Sequence, residues 1–342
     1  MPLQPDGTRQ SGRSEPNFLQ AKPTVLFVVP CFNEQHVIPS THPQLRAQID
    51  QLSSLDLCSE YGSGILYVDD GSTDSTWEII ERLCANDPAV LGVRLSRNKG
   101  HQAALLAGLE VGAQCADVVI SIDADLQDDI LVSTDMLRMY SQGYEIVYGV
   151  RSSRTTDSLS KRTFANLFYT VMLMLGVDIV PGHADYRLMS SRAVAELLRY
   201  EERSLFLRGI VPQLGFKTST VYYARKERPA GITKYPFRKS LSFAIDGIFS
   251  LSYKPLRIIA YLGLVLGLFS LIGVGRIIYA AQSGSTLHGW ASIVVSIGFL
   301  GAIQLFCIGV LGEYVARIYR EVKRRPRYHV QSTLGFRPPF QP

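Results

Sequence analysis

The chain has no ordered cysteine framework. Its five cysteines, Cys31, Cys58, Cys84, Cys115 and Cys307, include no C-x-x-C pair and follow no regular spacing. That argues against a disulfide scaffold or a zinc cage, and for reduced thiols in a cytoplasmic setting. Residues 1–22 are polar, rich in Pro, Gly, Gln and Ser, and lack an apolar core segment. They read as a disordered tail rather than a secretory signal. Charge is missing from two further places: Ile258–Gly275 and Trp290–Gly312 contain no Asp, Glu, Lys or Arg. Each run is long enough, at 1.5 Å per residue, to cross about 30 Å of hydrocarbon. Two buried core helices would be the plain alternative, but two uncharged runs in succession disfavour it. The joining segment Ala281–Gly289 has no Lys or Arg, whereas Arg317, Arg320, Lys323, Arg324, Arg325 and Arg327 follow the second run. That asymmetry predicts a transmembrane hairpin, over 255–279 and 290–313, with both termini and the soluble domain in the cytoplasm.

What the chain does have is a series of polar strand ends. The apolar run Val118-Val119-Ile120-Ser121-Ile122 ends in Asp123-Ala124-Asp125. A buried strand of this kind delivers two carboxylates to a crevice at its carboxyl end. Hard oxygens at i and i+2 suit Mg²⁺ or Mn²⁺, which keep positions open for substrate phosphates. A lone D-x-D is weak, since acidic turns after strands are common, but this one does not stand alone. Thr24–Val29 runs into Pro30-Cys31-Phe32-Asn33-Glu34, and Ile65–Val68 into Asp69-Asp70-Gly71-Ser72-Thr73-Asp74-Ser75-Thr76. Asp74 or Ser75 is placed to cap a helix through Trp77, Ile80 and Leu83. A strand at Val90–Leu95 leads to Arg97-Asn98-Lys99-Gly100 and a helix from His101 to about Ala113, and Ile146–Val150 is a fifth strand. Strands alternating with helices predict an α/β fold with a mostly parallel sheet and one site at its carboxyl edge.

The ordered motifs P-x-F-N-E, D-D-G-S-x-D-S-T, R-N-x-G and D-A-D-L-Q-D resemble those of family 2 glycosyltransferases with a GT-A fold, a Rossmann-like architecture. More narrowly, residues 24–325 resemble the polyprenyl-phosphate glycosyltransferases, the group of dolichol-phosphate mannose synthase and bacterial undecaprenyl-phosphate glucosyltransferases. The resemblance implies a nucleotide-sugar site formed by Pro30, Phe32, Asn33, Glu34, Asp69, Asp70, Asn98, Gly100, Asp123, Ala124, Asp125 and Gln127. The divalent metal would fall to Asp125 with Asp123 and Gln127. Asp185-Tyr186-Arg187-Leu188 is similar to the family's D-[FY]-R-L segment. Arg228-x-x-Gly231-x-Thr233-Lys234 is similar to the loop that closes over the donor diphosphate, so Arg228 and Lys234 would stabilise the leaving group. Thr233 replaces the usual Ser and Cys31 a frequent Thr, both mild departures.

A basic loop follows the fifth strand. Arg151, Arg154, Lys161 and Arg162 could be a solvated cluster, or could grip a lipid phosphate by charge-assisted bonds. The resemblance places the acceptor phosphate on this segment, with Asn166. Asp157 is its one carboxylate, either neutralising an arginine or standing in the reaction path. A phosphate monoester is already anionic near neutral pH, its second pKa being about 6, so a dedicated base is not required. Amphipathic stretches at 160–176 and 233–252 carry basic residues beside an apolar stripe, which suits helices lying in the headgroup region.

The domain reading is therefore a tail (1–22), a GT-A domain (23–232), a juxtamembrane helix (233–252), the hairpin, and a basic cytoplasmic tail (314–342). The expected reaction is inverting hexose transfer from a nucleotide sugar, UDP-glucose first and GDP-mannose second, to a polyprenyl phosphate. Expected partners are that donor, the lipid and the membrane, without nucleic acid and with self-association left open. A processive polysaccharide synthase would need Q-x-x-R-W, and neither Trp77 nor Trp290 sits in one. Two spans beside so large a soluble part do not suit a transporter. A non-catalytic nucleotide-binding scaffold is opposed by the retained D-x-D and basic loop.

Overall fold

The computed structural model describes residues 22–151, 183–203, 206–224, 252–282 and 289–336. The sheet is built on β1 (Val25–Cys31), β2 (Gly64–Asp69), β3 (Val90–Leu95), β4 (Val118–Ser121) and β5 (Ile146–Arg151). These five match the sequence expectation to within a residue or two. Between them run α1 (Ile38–Ser54), α2 (Thr76–Asn86), α3 (His101–Cys115) and α4 (Val132–Ser141). Every residue of β1, β2 and β4 is buried. The cause is helices on both faces. Val25, Phe27 and Val29 join one core cluster with residues of α1, α2 and α4, while Leu26 and Val28 join another with residues of α3. A strand covered on both sides reads as an unbroken apolar run instead of an alternating one. Helix α3 comes so close that a Cβ on Gly108 would lie 2.3 Å from Val28 Cγ1.

Three more strands complete the sheet: β6 (His183–Ser190), β7 (Thr218–Tyr223) and β8 (Val330–Leu334), with α5 (Ser191–Leu198) and the short α6 (Leu207–Ile210) after β6. The order is β7-β5-β6-β4-β1-β2-β3-β8. Pairs β1–β2, β1–β4, β2–β3 and β5–β7 are parallel. Strand β6 is wedged antiparallel between β4 and β5. The carboxyl ends of β1 to β5 therefore share one edge, and β6 begins there. Its register, Ser121 opposite Arg187, carried two residues further along each chain, sets Asp185 beside Asp123.

Helices α7 (Lys254–Gln282) and α8 (Trp290–Val322) hold the two long apolar runs. Their most apolar windows bury nothing against the rest of the protein; Leu264 is 71% and Phe269 68% exposed. Apolar surface on that scale calls for a covering, and lipid supplies one. Beyond residue 313 the helix continues to Val322, and the chain then returns to the sheet. Strand β8 pairs antiparallel with β3, Arg203 N donates to Glu321 Oε1 at 2.8 Å, and Ser96 N donates to His329 O at 2.9 Å. The segment after the hairpin thus includes an edge strand of the catalytic domain. Both amphipathic stretches, 160–176 and nearly all of 233–252, lie outside the described residues.

Candidate active site

The edge formed by β1, β2 and β3 is laced by uncharged groups and buried carboxylates. Asn33 has a left-handed backbone, φ +56°; its N–H donates to Ser72 Oγ (2.9 Å) and its Oδ1 accepts from Thr73 N (2.9 Å). Glu34 N donates to Thr76 Oγ1 at 2.9 Å. Asp74 Oδ1 accepts from Thr76 N at 3.0 Å, whereas Ser75, the residue before α2, makes no side-chain capping bond. Gly71 turns at φ +67°, and a Cβ there would meet the Arg97 backbone at 2.6 Å. Only glycine lets the second and third strand ends approach this closely.

Asp69 and Asp70 hold this edge from within. Asp70 accepts from Lys99 N (2.7 Å) and Gly100 N (2.8 Å), one on each oxygen, and so fixes the loop bearing Asn98 and Gly100. Asp69 Oδ1 accepts from Ser72 N at 3.1 Å. Its Oδ2 lies 3.3 Å from Arg94 Nε, an ion contact without hydrogen-bond alignment, and neither atom has a hydrogen-bond partner among the described residues. Burial raises the pKa of both carboxyls above the ordinary range. Pro30 lies in β1 opposite Val68, and Phe32 is exposed beyond it, at 42%.

The β4–β6 edge is dominated by ionisable side chains. Asp125 Oδ2 accepts from Gln127 Nε2 at 2.6 Å; Ala124 and Gln127 are buried. His101 Nε2, at the start of α3, lies 3.7 Å from Asp123 Oδ1 and 3.5 Å from Asp185 Oδ2. Arg208 Nε and Nη2 donate to Asp185 Oδ1 and Oδ2 at 3.1 and 2.9 Å. Arg187 Nη2 adds a third bond to Oδ1 at 2.8 Å. Burial works against ionisation of Asp185, yet His101, Arg208 and Arg187 outweigh it and hold its pKa well below the usual range. Burial pulls the His101 pKa down, but Asp185 and Asp123 outweigh that and raise it. Asp123 is raised by burial and, against the pull of His101, by Asp185, Asp128 and Asp125.

The neighbouring carboxylates that raise the Asp123 pKa leave negative charge there for a cation to relieve. Among the described residues no three His, Cys, Asp or Glu side chains form a ready-made cage. A Mg²⁺-like ion needs none, because one or two carboxylates plus substrate phosphates suffice. Asp123 and Asp125 therefore fit such an ion as a pair of hard donors.

Arg151, expected on the acceptor phosphate, is gripped by Asp128, with Nε to Oδ1 at 3.0 Å and Nη2 to Oδ2 at 3.1 Å. Of the other expected site residues, Arg154, Asp157, Lys161, Arg162, Asn166, Arg228 and Lys234 lie outside the described residues. Sequence reasoning did not single out His101, Asp128 or Arg208, and saw Asp185 and Arg187 only as part of a segment. His101 directly follows R-N-x-G, the one local signal available. Asp185 and Arg208 reach the site through the antiparallel β6, which no local pattern announces.

The Glycosyl transferase family 2 profile matches residues 26–198, and the GtrB C-terminal hairpin matches residues 254–318. An uncharacterized glycosyltransferase, YkoT of Bacillus subtilis, is 51% identical over 316 residues, 92% of this chain and 93% of that protein. The bactoprenol glucosyl transferase of Shigella phage SfX is 39% identical over 310 residues, 90% and 99% of the two chains. The prophage bactoprenol glucosyl transferase homolog of Escherichia coli K12 is also 39% identical, over 309 residues, 90% and 98%. With a GT-A sheet, D-x-D at the end of β4 and the hairpin behind it, this chain belongs to the glycosyl transferases of family 2, in the group of the bactoprenol glucosyl transferases.

Proposed function

We propose that the protein transfers glucose from UDP-glucose to undecaprenyl phosphate at the cytoplasmic face of the membrane. The observation that carries the reading is that Asp123 and Asp125, following β4, and the Asp70-held 97–100 loop, following β3, lie at one sheet edge, in a chain with two lipid-length apolar helices. The laced loops of β1 to β3 offer Phe32, Asn33, Asp69, Asp70, Asn98 and Gly100 to the nucleoside. Asp125 and Asp123, with Gln127 beside them, would hold Mg²⁺ or Mn²⁺, which supplies neutralisation of the charge developing on the departing diphosphate. Arg228 and Lys234 would share that task. The lipid phosphate, held by Arg151, Arg154, Lys161, Arg162 and Asn166, attacks the anomeric carbon opposite the leaving group, giving inversion. Asp157 stands in the same loop as the carboxylate nearest that chemistry in sequence. Two substrates held in line account for much of the rate, and no covalent enzyme intermediate is needed.

Glucose is supported by the names of the relatives, and the acceptor by bactoprenol in those names. The cytoplasmic face is supported by the cations after α8 against none in 281–289. The test is a donor panel with undecaprenyl phosphate and the purified full chain. UDP-glucose should give a glucosyl lipid at a rate at least tenfold above GDP-mannose; a preference for GDP-mannose would overturn the sugar assignment. Protease added outside sealed right-side-out vesicles should leave the catalytic domain intact, and its digestion would overturn the orientation.

A further inference from the structure

Three side chains, Arg187, Arg208 and His101, share Asp185, and they do so unequally. Arg187 is 1% exposed and reaches Oδ1 with Nη2; its Nε and Nη1 are buried without a hydrogen-bond partner among the described residues. Arg208, by contrast, places one N–H on each carboxylate oxygen. A two-point fork fixes the plane of a carboxylate as well as its position. The oxygen that takes Arg208 Nη2, Oδ2, is also the one 3.5 Å from His101 Nε2. On the other side of that nitrogen, at 3.7 Å, is Asp123 Oδ1. A single Nε2 proton cannot serve both oxygens fully, and Asp185 holds the nearer claim.

We propose that Arg208 is a positioning residue for the donor's cation: by fixing the Asp185 carboxylate it keeps His101 turned toward Asp185 and leaves Asp123 available to the ion. Arg208 lies in α6, well removed in sequence from every motif of the nucleotide half, and is linked to Asp123 through Asp185 and His101. Partners that orient a ligand from behind typically matter by about 10–100-fold in metal affinity. This role rests on the reading of Asp123 and Asp125 as the cation's carboxylates.

The test uses the full-length protein in detergent with Arg208→Met, which keeps the stem and removes the fork, and Arg208→Lys, which keeps the charge. Mn²⁺ binding is followed by the spectroscopic signal of free Mn²⁺ in the presence of UDP or GDP, with thermal midpoints measured alongside. Arg208→Met should weaken Mn²⁺ binding by about tenfold or more. The KM for undecaprenyl phosphate should stay unchanged, and Arg208→Lys should fall between, since an ammonium cannot span both oxygens. Unchanged Mn²⁺ affinity in both variants overturns the proposal. So does a loss of Mn²⁺ and lipid affinity together in step with a lower thermal midpoint. If Arg208→Met does not fold, Arg208→Lys at wild-type Mn²⁺ affinity is sufficient to refute it. A wild-type protein that transfers sugar while the variants keep their Mn²⁺ affinity refutes this role alone. A wild-type protein that neither binds Mn²⁺ nor transfers sugar refutes the site reading itself.

Discussion

Along one sheet edge the two halves of the site are held together differently. Around β1 to β3, Asn33, Ser72, Thr73 and Thr76 exchange hydrogen bonds between loops, and Asp70 stitches in the 97–100 loop through backbone N–H groups. Around β4 to β6, the contacts are between ionisable side chains: His101 with Asp123 and Asp185, Asp185 with Arg187 and Arg208, Asp128 with Arg151. The first half is a shaped cradle, held by hydrogen bonds between its own loops. The second is a balance of charge that a substrate diphosphate, its cation and an anionic acceptor would each alter. Recognition of the nucleoside suits the one, and stabilisation of a moving charge suits the other.

The sharpest break should come at Asp125. Asp125→Asn keeps the volume and removes the charge, and should lower kcat/KM by at least about a hundredfold, near 2.7 kcal/mol of barrier, with the fold intact by circular dichroism. Activity within tenfold of wild type would move the cation elsewhere. At the cradle the effect should be smaller and of another kind. Asp70→Asn puts an N–H₂ where one oxygen accepted from the 97–100 loop. Loss of a charged hydrogen bond there costs roughly 1.5–3 kcal/mol, so the donor KM should rise about tenfold or more with kcat little changed. A fall in kcat alone would erase the division of labour.

The smallest effect sharpens the comparison through pH. Burial raises Asp69 above 3.8 in the folded protein, so charging it costs stability as pH rises from 3.8 through the folded value. Asp185 is shifted the other way, well below 3.8. Its contribution is full above 3.8 and lost as pH falls through the folded value. Thermal midpoints of Asp69→Asn relative to wild type should therefore improve as pH rises above 3.8. The deficit of Asp185→Asn should be full at neutral pH and shrink below 3.8. Parallel pH trends for the two variants would contradict the opposed environments.

Most of the cradle was legible in the sequence because it is local. Each strand end carries its own motif within a few residues, and strands buried on both faces announce themselves as apolar runs. The charge-free helices were legible for the same reason, and α7 and α8 follow them closely. The charged half was not. Asp185 comes beside Asp123 because β6 enters antiparallel beside β4, in a register that sets Ser121 opposite Arg187, 66 residues on, and pairing over that distance leaves no periodic trace. Arg208 and His101 contact the Asp185 that this pairing brings to the edge. Strand β8 was hidden by its basic surroundings, which read as a tail until its backbone is seen against β3.

The central claim is that the carboxylates ending β4 support cation-dependent sugar transfer to a lipid phosphate. The most direct test measures glucosyl lipid formed from UDP-glucose and undecaprenyl phosphate by the purified full chain, in EDTA and after Mg²⁺ or Mn²⁺ is restored. The account predicts product formation that EDTA abolishes and the divalent ion restores. Undiminished transfer in EDTA, or an ion-restored enzyme that hydrolyses the nucleotide sugar without glycosylating the lipid, would contradict it.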